Sequence, residues 1–350
     1  MKLDETKMVL SESANAEAKK AQRAAETEFL DPERARGNVV GMGVGVKWKN
    51  GQPTGEPALV VLVTQKLEKS QVRAADLVPA KLAEMQTDVL TVGYPFAGGG
   101  NDSLEVGAQT LAKRIRPAEG GYSVGHFKIT AGTIATCVYD ILPGGSISPP
   151  AHGIGVPHHY YILSNNHVLA NSNAASIGDP ILQPGPFDGG TFPADLIARL
   201  SRFIPIDLTP AVPLAHHNNL VDAAVAAGEF HDLDREIYWT GYVRGWRPKA
   251  HVTVGTIVQK TGRTTNYTTG RITAINATVD VNYGGGRIGR FKDQIVTTNI
   301  SAGGDSGSLV TTLDDVAVGL LYAGSTAATI LNQIENVRAL LRVEVAETIA

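Results

Sequence analysis

The stretch SAGGDSGSLV, residues 301–310, places a serine among glycines immediately before an apolar run. A serine hydroxyl is a poor nucleophile unless a base removes its proton and backbone N–H groups stabilise the oxyanion that forms on attack. Gly303 and Gly304 allow a tight turn without a Cβ, so the N–H groups of Gly304 and Ser306 can converge on one point. The stretch therefore predicts a nucleophilic Ser306 beside an oxyanion hole.

Candidate partners for this serine lie upstream. The segment YYILSNNHVLA is an apolar run that ends in polar residues and then His167, the predicted general base. Asp222, in NLVDAAVAAG, is flanked by apolar residues, where an unpaired carboxylate would be costly, so it should have a specific partner. An imidazole that needs orienting is such a partner. Asp195 and Asp207 are weaker candidates in Pro-rich segments. Two alternatives stay open: a structural histidine, and an aspartate that pairs with an arginine or caps a turn.

These three segments resemble motifs of the trypsin/chymotrypsin-like serine proteases of the PA clan. GDSG, SNNHV and DAAV are similar to the family's GDSG, TNNHV and D-[LI]-A-[VL], with Ala223 replacing a larger apolar residue. The resemblance implies a catalytic triad of His167, Asp222 and Ser306. It implies an oxyanion hole formed by the N–H groups of Gly304 and Ser306. It further implies a chymotrypsin-like double β-barrel and a serine endopeptidase that acts through an acyl-enzyme, of the bacterial or plant-type intracellular kind with an N-terminal extension.

The order of the three residues along the chain favours this family over other Ser/His/Asp hydrolases, because His, Asp, Ser is the chymotrypsin order. An α/β-hydrolase needs its histidine after the serine, yet no histidine follows Ser306. Ser308 also replaces the second glycine of the G-x-S-x-G elbow of that fold. A subtilisin-like enzyme would place its aspartate before the histidine.

The strand pattern predicts a mainly β chain. From residue 121 to 324, short runs rich in Val, Ile and Thr follow one another between turns of Gly, Pro, Asn and Asp. This pattern favours barrels or a sandwich. We expect the protease-like domain at residues 101–350, with barrels over about 121–325 and a C-terminal helix over 328–343.

The region before the barrels is predicted to hold a helix and a small α+β module. Alanines and a phenylalanine at helical spacing predict an amphipathic helix within residues 1–36 that packs on its own chain, or on a partner. Residues 37–100 predict strands and one short helix at LVPAKLAEM. The run Gly-Gly-Gly-Asn at 98–101 is the expected linker or loop.

Composition excludes several other functions. A formal net charge of −3 and a pI near 6.3 give no broad basic surface for nucleic acid or anionic membranes. The single cysteine, Cys137, cannot form an internal disulfide, so we expect a reducing compartment, the cytoplasm. The N-terminus lacks the apolar core of a signal peptide, and no segment approaches the roughly 20 apolar residues of a membrane span.

The resemblance also assigns substrate-binding segments. One is a strand edge whose backbone pairs with an extended substrate, and the other is the floor of the primary specificity pocket. The edge comprises Leu321, Tyr322, Ala323 and Gly324, and the floor comprises Ile300 and Ser301. No acidic residue stands at the floor to pair with a lysine or arginine, so we expect a small or apolar substrate residue there.

The family resemblance extends to KTGRTTNYTTGRITAI, residues 260–275, which is similar to the K-x-G-x-T-T-G strand pair of the second barrel. Secreted relatives mature at an I-V-G-G-like end whose new amine pairs with the aspartate before the nucleophile. No such end is evident here, so we expect Asp305, which braces the loop, to be held by another donor or ordered by a partner.

Two patterns suggest a cofactor or a metal, and we expect neither. GGGRIG, residues 284–289, satisfies G-x-G-x-x-G but precedes a strand-like segment, so a β-hairpin loop is predicted. Clustered histidines in Pro-rich segments, without cysteines, favour exposed loop residues over a zinc site. These are His152, His158, His159, His216 and His217.

A protein or peptide substrate is the expected partner, with a regulatory partner or homo-oligomer through the N-terminal region as a further possibility. Two other functions remain open. One is a catalytically silent or partner-activated binding scaffold on a protease fold. The other is an esterase that uses the same triad on small substrates.

Overall fold

The computed structural model describes residues 3–98, 111–129, 131–141 and 159–345. Residues 99–101 of the Gly-rich run, and His152 and His158, lie outside these ranges. The helices are α1 (Glu12–Phe29), α2 (Asn166–Leu169) and α3 (Ile334–Leu341). None of the helices in the described ranges is long and apolar enough to cross a membrane.

The strands fall into three groups along the chain. The first comprises β1 (Val39–Lys49), β2 (Gln52–Val63), β3 (Lys81–Leu82), β4 (Met85–Thr91) and β5 (Phe96–Ala97). The second comprises β6 (Ala118–Gly120), β7 (Ser123–His126), β8 (Gly132–Thr133), β9 (Cys137–Asp140), β10 (Tyr160–Ser164), β11 (Pro180–Leu182), β12 (Leu196–Phe203), β13 (Ala224–Gly228), β14 (Leu233–Ile237) and β15 (Gly245–Trp246). The third comprises β16 (Ile257–Gly262), β17 (Asn266–Asn282), β18 (Ile288–Thr298), β19 (Leu309–Thr312), β20 (Val316–Gly324), β21 (Ala328–Gln333) and β22 (Val343–Glu344).

Six strands of the third group form a closed ring, which we call the second barrel, and the seventh, β22, pairs with β9. Strands β16, β19, β20, β21, β18 and β17 pair in that order, and β17 pairs back with β16. Closure leaves no open sheet edge within the ring. Its interior is filled by aliphatic side chains, among them Val258, Ile272, Ile295, Val310, Val318 and Leu331.

Seven strands of the second group form the first barrel, whereas β6 pairs with β14 and β15 pairs with β20. Strands β7, β11, β12, β13 and β10 pair in that order. The segment from β8 to β9 closes the ring, because β8 pairs with β7 at Gly132 and β9 pairs with β10 at Cys137. The molecule is therefore mainly β, and the predicted double β-barrel is confirmed.

The N-terminal strands continue the sheet of the second barrel. Strand β1 pairs antiparallel with β17 and with β2, and β2 pairs in parallel with β4. The backbones of β1 and β17 approach so closely that a Cβ on Gly41 would lie 2.1 Å from the Thr278 carbonyl oxygen. Only glycine fits at this position. The small α+β module is thus joined to the second barrel by backbone hydrogen bonds.

Helix α1 packs across this module. Ser11 caps its first turn by accepting the Ala14 N–H at 3.2 Å. Ala18, Ala25 and Phe29 are buried at helical spacing in the core that β1 and β2 also line. Gln22, on the same face, donates to the Asn276 carbonyl at 2.7 Å. The apolar face of the helix is therefore turned toward its own chain.

The predicted helix at LVPAKLAEM is absent, because this segment forms the β3–β4 hairpin. Ala83 and Glu84 both have positive φ, 44° and 63°, which reverses the chain between Lys81–Leu82 and Met85. Pairing of β4 with β2 extends β4 along the sheet. Tertiary strand pairing thus overrides the helical propensity of the alanines and leucines.

The predicted C-terminal helix over residues 328–343 is too long. Ala328–Gln333 is strand β21, which pairs with both β18 and β20, and the helix begins only at Ile334. Arg338 in α3 lies 3.8 Å over the Trp246 ring and pairs with Glu344. The apolar residues of 328–333 belong to a strand that is paired on both sides. A short apolar run in a sequence does not distinguish such a strand from a buried helix.

Candidate active site

His167 and Asp222 are brought together by two neighbouring strands of the first barrel. Strand β10 ends at Ser164, and His167 follows in the short helix α2. Asp222 precedes β13, and Ser164 pairs with Ala224 in the antiparallel register of these strands. Both side chains therefore lie at the same end of the strand pair.

The carboxylate of Asp222 is fully buried and receives hydrogen bonds on both oxygens. His167 Nδ1 lies 2.6 Å from Oδ2, and the His167 backbone N–H donates to Oδ1 at 3.1 Å. The backbone of Asp222 is held as well, since its carbonyl accepts from Asn165 at 2.8 Å and its N–H donates to Asn332 at 3.0 Å. A proton held on Nδ1 by the carboxylate leaves Nε2 with the lone pair that a general base requires.

A third donor to this carboxylate, Tyr283, was missed by the sequence analysis. Its hydroxyl donates to Asp222 Oδ2 at 2.7 Å, and its ring meets the His167 ring edge-to-face at 6.1 Å. Burial, together with the negative charge of Asp222, raises the pKa of Tyr283 well above its ordinary value, so the hydroxyl keeps its proton. Tyr283 precedes Gly284 in the β17–β18 hairpin loop, which the sequence had identified only as a loop.

The Ser306 loop is shaped by glycines and packs closely on the first barrel. Gly304 and Gly307 have φ of +96° and +99°, where a side chain would be strained. A Cβ on Gly307 would also lie 2.1 Å from the Ser164 hydroxyl. Thr133 bonds this loop twice, through its N–H to the Ser306 carbonyl at 2.7 Å and its hydroxyl to the Gly304 carbonyl at 2.9 Å.

Two carbonyl contacts orient the predicted oxyanion-hole donors. The Gly303 carbonyl accepts from the Thr264 hydroxyl at 2.7 Å, and the Asp305 carbonyl accepts from the Ser308 hydroxyl at 2.7 Å. Because a trans peptide is planar, with C=O and N–H pointing in opposite directions, these contacts fix the direction of the next N–H groups. Those groups belong to Gly304 and Ser306, and neither donates to another residue in the described ranges.

Asp305 is held by donors from the segment at 260–265. Its carboxylate lies 3.3 Å from Lys260 Nζ, accepts the Thr264 N–H at 2.8 Å and accepts the Thr265 hydroxyl at 2.6 Å. Both charged side chains are fully buried. Burial lowers the pKa of Lys260, and the negative charge of Asp305 opposes that shift. Lys260 therefore holds Asp305 in place of a new N-terminal amine, as the sequence led us to expect of another donor.

His167 and Ser306 lie on adjacent segments, but their side chains are not hydrogen-bonded to each other. A Cβ on Gly132 would lie 2.4 Å from Val168, the neighbour of His167, and 2.8 Å from the Ser306 carbonyl oxygen. His167 Nε2 is buried and has no hydrogen-bond partner among the described residues. Catalytic hydrogen bonds are often long in unliganded sites and shorten when substrate binds.

A cleft beside Ser306 contains much of the predicted substrate-binding segment. Its lining includes Ser301, Leu321, Ala323 and Gly324, and no charged residue lines it among those described. Ile300, predicted at the pocket floor, does not line this cleft, and Tyr322, whose backbone was predicted to bind substrate, turns its side chain into the core. Ile300 packs in the core of the second barrel, and the buried Tyr322 ring packs on Phe291 with ring centroids 4.8 Å apart.

Strand β5 lies across this cleft. Phe96 and Gly98 line it together with Ser306, and they also line the adjoining cleft that contains His167 and Tyr283. Strand β5 pairs antiparallel with the end of β20, the edge predicted to bind substrate. No pattern in the sequence predicts this contact.

The glycine-rich segment and the clustered histidines, which we expected to bind neither a cofactor nor a metal, have different outcomes in the structure. Gly284–Gly286 lie in the hairpin loop between β17 and β18, as predicted. Of the clustered histidines, His159 and His216 are exposed, but His217 is buried, and its Nε2 lies 2.9 Å from the Val212 carbonyl. His217 is therefore not the exposed loop residue that was expected, because a local carbonyl satisfies its ring.

The chain shares part of its sequence with a known protease. Over 96 residues it is 40% identical to Serine protease 2 of Streptomyces fradiae, and the match covers 27% of this chain and 46% of that protein. This part of the chain is therefore related in sequence to a serine protease. The match spans less than half the length of this serine protease, and no family model matches the chain.

Solved structures of serine proteases are also similar. Protease A of Thermobifida fusca has a TM-score of 0.42 and 16% identity, and covers 65% of this chain and 96% of its own. Chymotrypsin of Cellulomonas bogoriensis has a TM-score of 0.42 and 17% identity, and covers 66% of this chain and 98% of its own. The double β-barrel itself is shown by the two closed rings of strands.

Proposed function

We propose that the chain is a serine endopeptidase that hydrolyses peptide bonds through an acyl-enzyme, with His167, Asp222 and Ser306 as its triad. The observation that carries the proposal is the His167–Asp222 pair, bonded at 2.6 Å beside a serine loop whose N–H groups are oriented. A structural ion pair would not need an adjacent serine with two such donors.

In this mechanism His167 Nε2 takes the proton from Ser306 as the hydroxyl oxygen attacks the scissile carbonyl carbon. The N–H groups of Gly304 and Ser306 stabilise the resulting oxyanion. The imidazolium, stabilised by Asp222, then gives its proton to the leaving amine, which leaves an acyl group on Ser306. Water, deprotonated by the same imidazole, hydrolyses this ester and restores the serine.

We further propose that the residue before the scissile bond is small or apolar. The described lining of the cleft includes Asn299, Ser301 and Thr326 but no carboxylate, so nothing there would pair with a lysine or arginine side chain. A library of peptides that differ at this position, assayed by turnover, tests this preference. Faster cleavage after lysine or arginine would contradict it.

Covalent labelling with a fluorophosphonate tests the proposed nucleophile. We expect labelling of the wild type, none of Ser306→Ala, and wild-type labelling of the control Ser70→Ala, which changes an exposed serine in a distant turn. Labelling that persists in Ser306→Ala would contradict the proposal. Failure to label both the wild type and a variant with an emptied cleft, described below, would also contradict it.

A catalytically silent or partner-activated scaffold is the second candidate. One observation favours it: His167 Nε2 is buried without a hydrogen-bond partner in the described ranges. This candidate predicts that no variant reacts with the fluorophosphonate, even when peptide binds the cleft. An esterase specific for small substrates would instead label normally and turn over esters but cleave no protein.

We also propose a cytoplasmic location, and a regulatory partner or homo-oligomer that binds through the N-terminal region. A cytoplasmic location rests on the single cysteine, Cys137, which is buried in the first barrel. A regulatory partner or homo-oligomer through the N-terminal region would have to use surfaces other than the buried face of α1. Fractionation of cells and the mass of the purified protein in solution test these two proposals.

A further inference from the structure

The end of β20 already has a strand partner from the same chain. Ala97 pairs with Ala323 and Phe96 with Gly324, and the two strands run antiparallel. A strand edge offers one row of N–H and C=O groups, so only one strand can pair with it at a time. An extended peptide that binds this edge by β-augmentation must therefore displace β5.

The segment is held from both sides of the cleft. The Pro95 carbonyl accepts the Asn282 N–H at 3.0 Å, on the side of the second barrel that carries Tyr283. The Val92 carbonyl accepts the Ser325 hydroxyl at 2.6 Å, immediately beyond the end of β20. These contacts hold the segment between the ends of β17 and β20, with which β5 pairs.

The chemistry of the segment matches that of the cleft. Alternate residues of a strand face the same side, and accordingly Tyr94, Phe96 and Gly98 all line the cleft that contains Ser306. Ala97 faces the other way and is buried with the aliphatic residues of the neighbouring core. The described lining carries no charge that would repel or attract a particular charged peptide.

We propose that residues 94–98, Tyr-Pro-Phe-Ala-Gly, are a resident peptide ligand of the Ser306 cleft. This inference rests on the proposed function. The cleft binds extended, uncharged peptides with an aromatic residue opposite Gly324 followed by small residues, and its own segment keeps such peptides out until it leaves. The resting chain is therefore self-inhibited at the substrate-binding edge.

Ala97→Pro is the variant that tests the proposal. Proline has no N–H and disrupts strand pairing, so β5 should leave the cleft. Ala74→Pro is the matched control: it makes the same change at the exposed first position of a short helical turn in the same module, where proline is tolerated. Phe96→Ala is a second variant that keeps the backbone, in case Ala97→Pro does not fold by circular dichroism and thermal unfolding.

The first readout is peptide hydrolysis. If the cleft is open in about a tenth or fewer of the wild-type molecules, Ala97→Pro should raise kcat/KM by about tenfold or more. Phe96→Ala should raise it less, and Ala74→Pro should leave it unchanged. Equal kcat/KM in the wild type and in folded Ala97→Pro would overturn the proposal.

The second readout does not depend on catalysis. A fluorescent acetyl-Tyr-Pro-Phe-Ala-Gly peptide is titrated into Ser306→Ala and into Ser306→Ala combined with Ala97→Pro. Tighter binding by the double variant supports a resident ligand even if no variant hydrolyses peptides, a result that would sink only the proposed function. Equal binding by the two proteins, with hydrolysis intact in Ala97→Pro, would overturn the resident ligand and leave the proposed function standing.

Discussion

The two halves of the candidate site are built by different means. In the first barrel, His167 and Asp222 meet through a buried, charge-assisted side-chain contact at 2.6 Å. In the second barrel, the Ser306 loop depends on backbone geometry, with positive φ at Gly304 and Gly307. The proposed base thus depends on side chains, and the proposed oxyanion hole depends on peptide groups.

Each half is also braced by a residue from the opposite barrel. Tyr283, from the β17–β18 loop of the second barrel, donates to Asp222, and Thr133, from the first barrel, bonds the Gly304 and Ser306 carbonyls. These crossing contacts fix the position of Asp222 relative to the Ser306 loop. The site therefore depends on contacts between the two barrels as much as on either barrel alone.

Asp222→Asn should have the largest effect, because it removes the carboxylate that orients the His167 ring. An amide cannot hold the imidazole in the required tautomer, and kcat should fall by about 10⁴-fold. Asp207→Asn, which changes a partly exposed carboxylate that the sequence offered as a weaker candidate, is the control and should leave kcat unchanged. Steady-state kinetics on a peptide substrate measure both, and a loss confined to Asp207→Asn would refute the assignment.

Lys260→Met should have the second-largest effect, and it should destabilise the Ser306 loop. It leaves the fully buried Asp305 carboxylate without its cation, which costs roughly 3–5 kcal/mol of unfolding free energy. Chemical denaturation measures this loss. The double variant Lys260→Met with Asp305→Asn removes the stranded charge and should recover part of the stability, whereas full additivity of the two losses would show that the pair is not coupled.

Thr264→Val should reduce kcat by about 100-fold, because the Gly303 carbonyl loses its hydroxyl donor and the Gly304 N–H is no longer held toward the oxyanion. The effect should appear in kcat and spare KM, since the oxyanion forms only in the transition state. Thr264→Ser keeps the hydroxyl and should retain most activity. An equal loss in both variants would point to packing rather than to the hydrogen bond.

Tyr283→Phe tests the contact between the second barrel and Asp222, and it should have the smallest effect. Loss of one hydrogen bond to a buried carboxylate should reduce kcat by about tenfold. Tyr161→Phe is the matched control, because it removes a 2.8 Å hydrogen bond to another carboxylate, Asp140, on the first barrel. The control should leave kcat unchanged. Equal kcat in Tyr283→Phe and the wild type would remove Tyr283 from the positioning of Asp222.

The sequence predicted what is encoded in short contiguous motifs. GDSG, SNNHV and DAAV are contiguous segments that resemble motifs of one family, so Ser306, His167 and Asp222 could be proposed before the fold was known. The spacing of apolar runs and turns predicted barrels or a sandwich, the family resemblance implied the double β-barrel, and the structure confirms the double barrel.

Contacts between distant segments could not be read in the same way. Tyr283 looks like a loop tyrosine until the barrels place its hydroxyl on Asp222, 61 residues away in sequence. The pairing of β5 with β20 likewise depends on a fold-wide register, and Phe96–Ala97 carries too few residues for a periodic signal. The helix expected at residues 328–333 failed for the same reason, since strand pairing on both sides decides its conformation.

A crystal structure of the Ala97→Pro variant after reaction with a fluorophosphonate tests the central claim most directly. We predict a phosphonyl group on Ser306, with one oxygen within hydrogen-bond distance of the Gly304 and Ser306 N–H groups and His167 Nε2 turned toward the serine oxygen. An adduct on another side chain, or a His167 ring that stays out of reach of the modified serine, would contradict it.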